Sequence, residues 1–330
     1  MENQIKISVI VPVFNNEKDI QETINSIKQQ TCQSWEAIFV DDGSWDRTED
    51  IIKKTIEVDG RFHYIRRERE PKGGSTCRNI GVSKSQGDFL IFLDGDDVLA
   101  PTCLEMRLKA IQDTNYDFMI YPMSTFTTDI TNHRRMTKWG IRDYDYYFIT
   151  GAPAWQVTSP IYRRRFWDKL IGFNENFTRS QDIELGLRSV IESHGNFKVV
   201  ENVPSDCFYR RAATKQLTPS YKYTKQLESY EFMLDLIRRL KIEGNFPNRY
   251  KFSLGLLATY CHMYQLIYVI KGRHEEVENF NYYNKIDLRC YMLFHHKLLL
   301  TLLGMFPLPY ELKRILSLKI NQYCRWHFQY

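Results

Sequence analysis

Phe89-Leu90-Ile91-Phe92-Leu93-Asp94-Gly95-Asp96-Asp97 decides how this chain of 330 residues is read. Five apolar residues describe a buried strand, and the strand ends in three carboxylates within four positions. Acidic side chains crowded at the end of a core strand repel one another and lose hydration. A divalent cation relieves that repulsion, and a hard ion such as Mg²⁺ or Mn²⁺ in turn attracts a polyphosphate. The competing reading is a solvated Asp-Gly turn, common where strands end. The surrounding chain has to choose between them.

Upstream of that stretch the chain alternates. Lys6 to Phe14 is a β-branched run, and Glu17 to Gln30 has helical spacing with Ile20, Ile24 and Ile27 on one face. A second strand over Trp35 to Val40 and a helix over Asp46 to Ile56 follow, then a strand over Phe62 to Ile65 and a helix over Ser75 to Lys84. Downstream, a helix from Pro101 to Gln112 and a strand from Asp117 to Tyr121 close the series. Such alternation predicts an α/β fold with a parallel sheet covered on both faces, its ligands beyond the carboxyl ends of the strands. Over 122–160 the pattern gives way to a polar and aromatic segment that reads as a long functional loop.

From about residue 220 the chain reads as nearly all helical. Phe252 to Ile270 carries no Asp, Glu, Lys or Arg, but Ser253, Thr259, His262 and Gln265 fit a helix buried in protein better than one facing lipid. The apolar run Leu298 to Leu308 is too short to span a membrane and is broken by Pro307. The net charge of +5 is uneven: residues 271–330 hold nine Lys/Arg and five Asp/Glu, a balance of +4. That end could face acidic lipid headgroups or equally be a solvated helical face. Seven cysteines without a CxxC pair predict a reducing compartment, with no disulfide framework and no zinc knuckle. The first residues show no signal-peptide pattern. The expected location is cytoplasmic, with peripheral contact at the inner face of the plasma membrane.

Four constellations carry chemistry. Asp41-Asp42-Gly43-Ser44 ends the second strand, where a carboxylate can accept from the imide N–H of a uracil ring or from ribose, or can simply cap the next helix. Lys72-Gly73-Gly74-Ser75-Thr76-Cys77-Arg78 offers free backbone N–H groups and a fixed cation at a helix start. It matches neither GxxxxGK[ST] nor GxGxxG, which argues against an ATPase or a classical dehydrogenase. In Asp94-Gly95-Asp96-Asp97, Asp96 is the better direct metal ligand and Asp94 the partner of ribose or sugar hydroxyls. Far along the chain, Gln181-Asp182-Ile183-Glu184 opens a helix running to about Ser193, and an ionised Asp182 in its first turn can act as a general base.

In this order the motifs resemble the family 2 glycosyltransferases of the inverting, bacterial surface-polysaccharide type. The matching residues are Ser8 to Asn16 (SVIVPVFNN), Asp41 to Ser44, Arg78-Asn79-Ile80-Gly81, Phe92 to Asp97, and Gly172-Phe173-Asn174-Glu175-Asn176-Phe177 leading to Gln181-Asp182, over roughly residues 5–215. The resemblance implies a GT-A fold, a mostly parallel nucleotide-binding sheet flanked by helices, with a catalytic domain over 1–218 and an α-helical C-terminal region over 219–330. That region would shape the acceptor site or mediate membrane contact or self-association. It also implies roles. Pro12, Phe14, Asn15, Asp41, Asp42, Gly74, Arg78 and Asp94 would hold a nucleotide-sugar, Asp41 touching the base. Asp96 would bind Mn²⁺ or Mg²⁺, and Asp182 would be the catalytic base. Trp155, Glu184 and Arg210 are assigned to the acceptor side, Trp155 by stacking on sugar rings unless it is core. The implied partners are a nucleotide-sugar, a UDP-sugar above all, and a saccharide or lipid-linked saccharide acceptor, with no nucleic acid.

Two departures stand out. The family commonly has Glu-Asp where this chain has Gln181-Asp182, and commonly Tyr-Arg-x-His where it has Tyr209-Arg210-Arg211-Ala212. With no histidine there, Arg210 or Arg211 would meet the diphosphate. Two rivals compete. Asp94-Gly95-Asp96-Asp97-Val98 also matches the DxDxV of haloacid-dehalogenase phosphatases, which normally begins their catalytic domain, whereas strand–helix units precede it here. A degenerate nucleotide-sugar-binding module is the second, and the retained Asp94, Asp96 and Asp182 argue against it.

Overall fold

The computed structural model describes residues 6–136, 144–149, 153–177 and 181–211. The β-branched runs form β1 (Ile7–Val13), β2 (Trp35–Asp41) and β3 (Phe62–Arg66). β2 is buried at every position, as expected of a strand covered on both faces. Between them lie α1 (Ile20–Lys28) and α2 (Thr48–Ile56), with α3 (Gly74–Lys84) after β3. α1 buries Ile20, Ile24 and Ile27 on one face. It starts later than its spacing predicts because Asn16 and Glu17 bond instead to Thr48 and Asp46 before α2.

The deciding stretch forms β4 (Phe89–Phe92), followed by β5 (Val98–Leu99), α4 (Cys103–Gln112) and β6 (Phe118–Ile120). Beyond residue 122 the structure corrects the loop expectation. β7 (Met123–Phe126) and β8 (Arg134–Arg135) form a hairpin, and β9 (Pro160–Arg163) follows the segment of α5 (Tyr144–Ile149). Strands of two to four residues are too short to show an alternating pattern. The remaining elements are α6 (Arg164–Leu170), α7 (Gln181–Glu192), β10 (Phe197–Val199) and β11 (Cys207–Arg210).

The seven-stranded sheet has the order β10-β6-β9-β4-β1-β2-β3. It is mostly parallel, with β9 inserted antiparallel between β4 and β6. From β1 the chain winds outward to β2 and β3, then returns to place β4 on the other side of β1. The winding therefore reverses between β1 and β4, and ligands of open α/β sheets bind at such a reversal. The loops after Val13, Asp41 and Leu93 open there, since Val13 is in register with Asp41 and Leu93 bonds to Ile10.

A second sheet, β5-β11-β7-β8, carries the end of β11 back to that edge. Antiparallel pairing of Phe208 with Val98 lines Arg210 up beside Asp96 and Asp97. The start of β11 is pinned by the buried Arg107, which donates to both oxygens of Asp206 at 2.7 and 2.6 Å and to the Thr158 carbonyl. Losing one partner of such a buried pair costs about 3–5 kcal/mol.

The chain divides into two compact units, Met1–Gly140 with Pro153–Lys215, and Ile141–Ala152 with Gln216–Tyr330. All the elements above except α5 belong to the first. The expected helical region over 219–330, including Phe252 to Ile270, lies outside the described residues. Among the described residues no helix is long and apolar enough to cross a membrane. The four described cysteines are free thiols.

Candidate active site

The end of β2 is held by its own turn. Asp41 is fully buried, and one oxygen accepts from the Gly43 and Ser44 N–H groups and the Ser44 hydroxyl at 3.0, 2.7 and 2.8 Å. The other accepts from the Tyr64 hydroxyl at 2.8 Å. Asp41 therefore shapes the loop, its carboxylate being held by these four donors. Asp42 accepts from Arg67 Nε at 2.6 Å and from the Gly73 N–H at 3.1 Å, tying β2 to the glycine turn before α3. Asn15, left-handed at φ 53°, bonds to Ser44 and to the Trp45 N–H. Pro12 is half-buried at the end of β1, and Phe14 beyond it is exposed. The Phe14 ring meets Trp45 edge-on at 5.1 Å and lies beneath Lys72 Nζ at 3.9 Å.

At the end of β4 the chain makes a tight turn in which the Asp97 N–H donates to the Asp94 carbonyl. Thr23 of α1 donates to the carbonyls of Gly95 and Asp97, and a Cβ on Gly95 would come within 2.9 Å of Val13. Asp94 is ion-paired with Arg78 at 2.5 Å. Arg78 donates through its other nitrogen to Gln181 Oε1 at 2.6 Å, and Gln181 Nε2 donates to the Phe177 carbonyl at 3.0 Å. Gly74 makes room for this chain, since a Cβ there would meet Arg78 Nη1 at 3.1 Å. A continuous relay, Asp94–Arg78–Gln181, thus joins the acidic turn to the first turn of α7. Asp182 is the next residue, half-buried, with its Oδ1 accepting from the Ile183 N–H at 3.0 Å.

The acidic turn is short of positive charge. Burial, and then the neighbouring Asp94, push the Asp96 carboxyl up to about 6. Asp97 is also raised, by the same two causes in the same order, although its Oδ1 accepts from the Arg210 N–H at 2.9 Å. Among the described residues no group of three or more His, Cys, Asp or Glu side chains converges as a metal-binding set. A half-buried carboxylate with unmet negative charge fits Mg²⁺ or Mn²⁺, which keep waters and take phosphate oxygens instead of a full protein cage. Asp96 is the residue that could hold it.

The residues assigned to the acceptor side part company. Trp155 is 4% exposed, its ring against Phe118 and Phe197, so the core reading of that residue is the one observed. Glu184 is 3% exposed and bonded through both oxygens to Arg188 at 2.8 and 2.6 Å, one turn along α7. Arg210 lies at the acidic turn, with Nε donating to the Asp96 carbonyl at 2.8 Å. Sequence reasoning did not single out Tyr64, Arg67, Trp45 or Lys72 as individual contributors. The one available signal was position: Trp45 and Arg67 follow strand ends and Lys72 precedes the glycine turn, whereas Tyr64 lies within β3. Asn79 and Glu175, quoted within motifs, also build the site. Asn79 bonds to the Phe173 backbone and to Glu175, which pairs bidentately with Arg69 at 2.6 Å. That strap fixes the segment leading to α7.

The chain matches the family model described as Glycosyl transferase family 2 over residues 8–217. It is 34% identical over 125 residues to the putative teichuronic acid biosynthesis glycosyltransferase TuaG of Bacillus subtilis (strain 168), covering 38% of this chain and 49% of that protein. Glycosyltransferase GlyA of Streptococcus pneumoniae serotype 4 is 36% identical over 115 residues, 35% of this chain and 16% of that protein. The match thus spans less than half the length of either relative. Among solved structures, Staphylococcus aureus TarS 1-349 in complex with UDP superposes with a TM-score of 0.55 at 19% identity, over 87% of this chain and 89% of that one. The same protein in complex with UDP-GlcNAc gives 0.55 at 17%, over 88% and 93%. At such identities the likeness speaks for the fold, which is GT-A-like.

Proposed function

Because the chain belongs to glycosyl transferase family 2, we propose that it moves a sugar, with inversion, from a nucleotide-diphosphate donor to a hydroxyl of a saccharide or lipid-linked saccharide in surface-polysaccharide synthesis. The observation that supports this best is the relay from Asp94 through Arg78 to Gln181, which brings the Asp182 turn of α7 to the end of β4. The donor's base and ribose would lie against Phe14, Asn15, the Asp42 turn and Asp94. UDP is the nucleotide we favour, since TarS is solved with UDP and with UDP-GlcNAc.

Asp182 takes the proton of the acceptor hydroxyl as that oxygen bonds to the anomeric carbon. The bond from that carbon to the diphosphate breaks on the opposite side, and the nucleoside diphosphate leaves with the electron pair. A divalent cation held by Asp96 and diphosphate oxygens would supply the positive charge that stabilises this leaving group. Gln181 stands where an acidic residue would put a second negative charge beside Asp182, and it is spent on Arg78 and the Phe177 carbonyl instead. The phosphatase reading needs Asp94 free to attack phosphorus, and its ion pair with Arg78 argues against that. A nucleotide donor and lone thiols favour a cytoplasmic location, at the inner membrane face where a lipid-linked acceptor lies.

The test is turnover against a panel of UDP-sugars with Mn²⁺ or Mg²⁺ and saccharide acceptors. Asp182→Asn should lose roughly 10²–10⁴ of the transfer rate while keeping UDP affinity. Near-normal transfer by that variant, or wild-type turnover unchanged in EDTA, overturns the reading.

A further inference from the structure

Arg210 stands in the family's histidine region, yet its guanidinium is already engaged. Nε donates to the Asp96 carbonyl at 2.8 Å and lies 3.3 Å from Asp19, and Nη2 pairs with Glu22 at 2.5 Å. The planar group rests on the Phe126 ring at 4.5 Å. Nη1 makes no hydrogen bond among the described residues. These anchors are unequal. The Arg210 N–H is held by Asp97 Oδ1 and its Nε by the Asp96 carbonyl, and the Arg210 side chain is only 13% exposed. The carboxylates are not buried, Glu22 being 49% exposed and Asp19 36%.

An ion pair to a carboxylate that exposed contributes about 0–1 kcal/mol, because water competes for both partners. A guanidinium–phosphate contact is charge-assisted, bidentate and stronger. Glu22 has a second stabiliser, since it lies in the first turn of α1, where the helix dipole favours a negative charge. Releasing Arg210 therefore leaves no orphaned charge behind.

We propose that Glu22 and Asp19 hold Arg210 in reserve beside the acidic turn, and that an arriving nucleoside diphosphate takes the guanidinium over from Glu22. Arg210 pivots about its bond to the Asp96 carbonyl, with the Phe126 ring keeping its plane, and turns Nη1 and Nη2 toward the phosphate oxygens. This rests on the proposed nucleotide-diphosphate donor. It makes Glu22 a residue whose native charge opposes donor binding, the reverse of what a merely structural ion pair does.

Calorimetric titration of the full chain with UDP, and with uridine as the ligand lacking the diphosphate, tests it in the presence and absence of Mn²⁺. Glu22→Gln should tighten UDP about two- to fivefold, the release of one exposed ion pair. Arg210→Ala should weaken UDP about tenfold or more, with Arg210→Lys in between. Uridine affinity should stay unchanged in all three. In the Arg210→Ala background, Glu22→Gln should have no effect on UDP. UDP affinity unchanged or weakened in Glu22→Gln, or Arg210→Ala losing UDP and uridine alike, overturns the exchange. A wild-type chain that binds neither ligand defeats the donor reading itself, a separate failure.

Discussion

Two acidic strand ends in this molecule look alike in sequence and behave as opposites in structure. At the end of β2, Asp41 and Asp42 are buried and surrounded by donors: backbone N–H groups, the Ser44 and Tyr64 hydroxyls, and the Arg67 guanidinium. At the end of β4, Asp94 is paired with Arg78, but Asp96 and Asp97 hold their protons more tightly than free carboxyls because burial and neighbouring carboxylates outweigh their donors. The first end is satisfied from within and builds the walls of a pocket. The second is short of positive charge and is the place where a cation and a diphosphate improve matters. Donor supply, not acidity, separates a structural carboxylate from a ligand-binding one.

The contrast breaks most visibly at Asp96. Replacing it with Asn should reduce transfer by about a hundredfold or more, since several kcal/mol of leaving-group stabilisation depends on the cation it would hold. Thermal stability should hold or rise, because the substitution deletes a charge that burial and Asp94 already oppose. A transfer assay paired with thermal melts decides it. A melting temperature several degrees lower would mean that the β4 end is structural after all.

Asp41→Ala should show the reverse pattern. It leaves buried N–H and hydroxyl donors without an acceptor, and each such group costs about 1–3 kcal/mol. We expect roughly 2–4 kcal/mol lost in urea denaturation, with weaker donor binding following from the disordered turn. Stability within experimental error of wild type would show that the turn is held by something else.

Most of this contrast was invisible in the sequence. The parallel core was legible because β1, β2 and β4 are mostly apolar runs separated by amphipathic helices, the alternation that marks a parallel α/β sheet. The short strands β7, β8 and β9 were not, because two to four residues carry no period. The acidic ends were legible as positions, but nothing local told Asp41 from Asp96. Their difference lies in partners distant along the chain: Tyr64 and Arg67 for one, Arg210 for the other. Trp155 shows the same limit, as aromatic content alone could not distinguish a stacking platform from a ring against Phe118. Gln181 is the instructive middle case. Its departure from the family's glutamate was readable, but its use as an acceptor for Arg78 and a donor to Phe177 required the fold.

The smallest effect we expect sharpens the satisfied end through pH. Burial first, and the hydrogen bond to Asp41 second, raise the Tyr64 hydroxyl above the ordinary tyrosine value of 10.0. A folded-state value above the unfolded one means that the native state binds the extra proton at alkaline pH. Its contribution is therefore complete below the unfolded value and is lost as pH rises toward the folded one. Tyr64→Phe removes both the bond and the titration, costing about 1 kcal/mol at neutral pH. Urea midpoints compared between pH about 8 and 11 should then converge. Tyr121 and Tyr162 are also raised by burial, so only the difference between wild type and variant isolates Tyr64. A constant difference across that range would mean that Tyr64 merely covers Asp41 and does not share its hydroxyl proton with it.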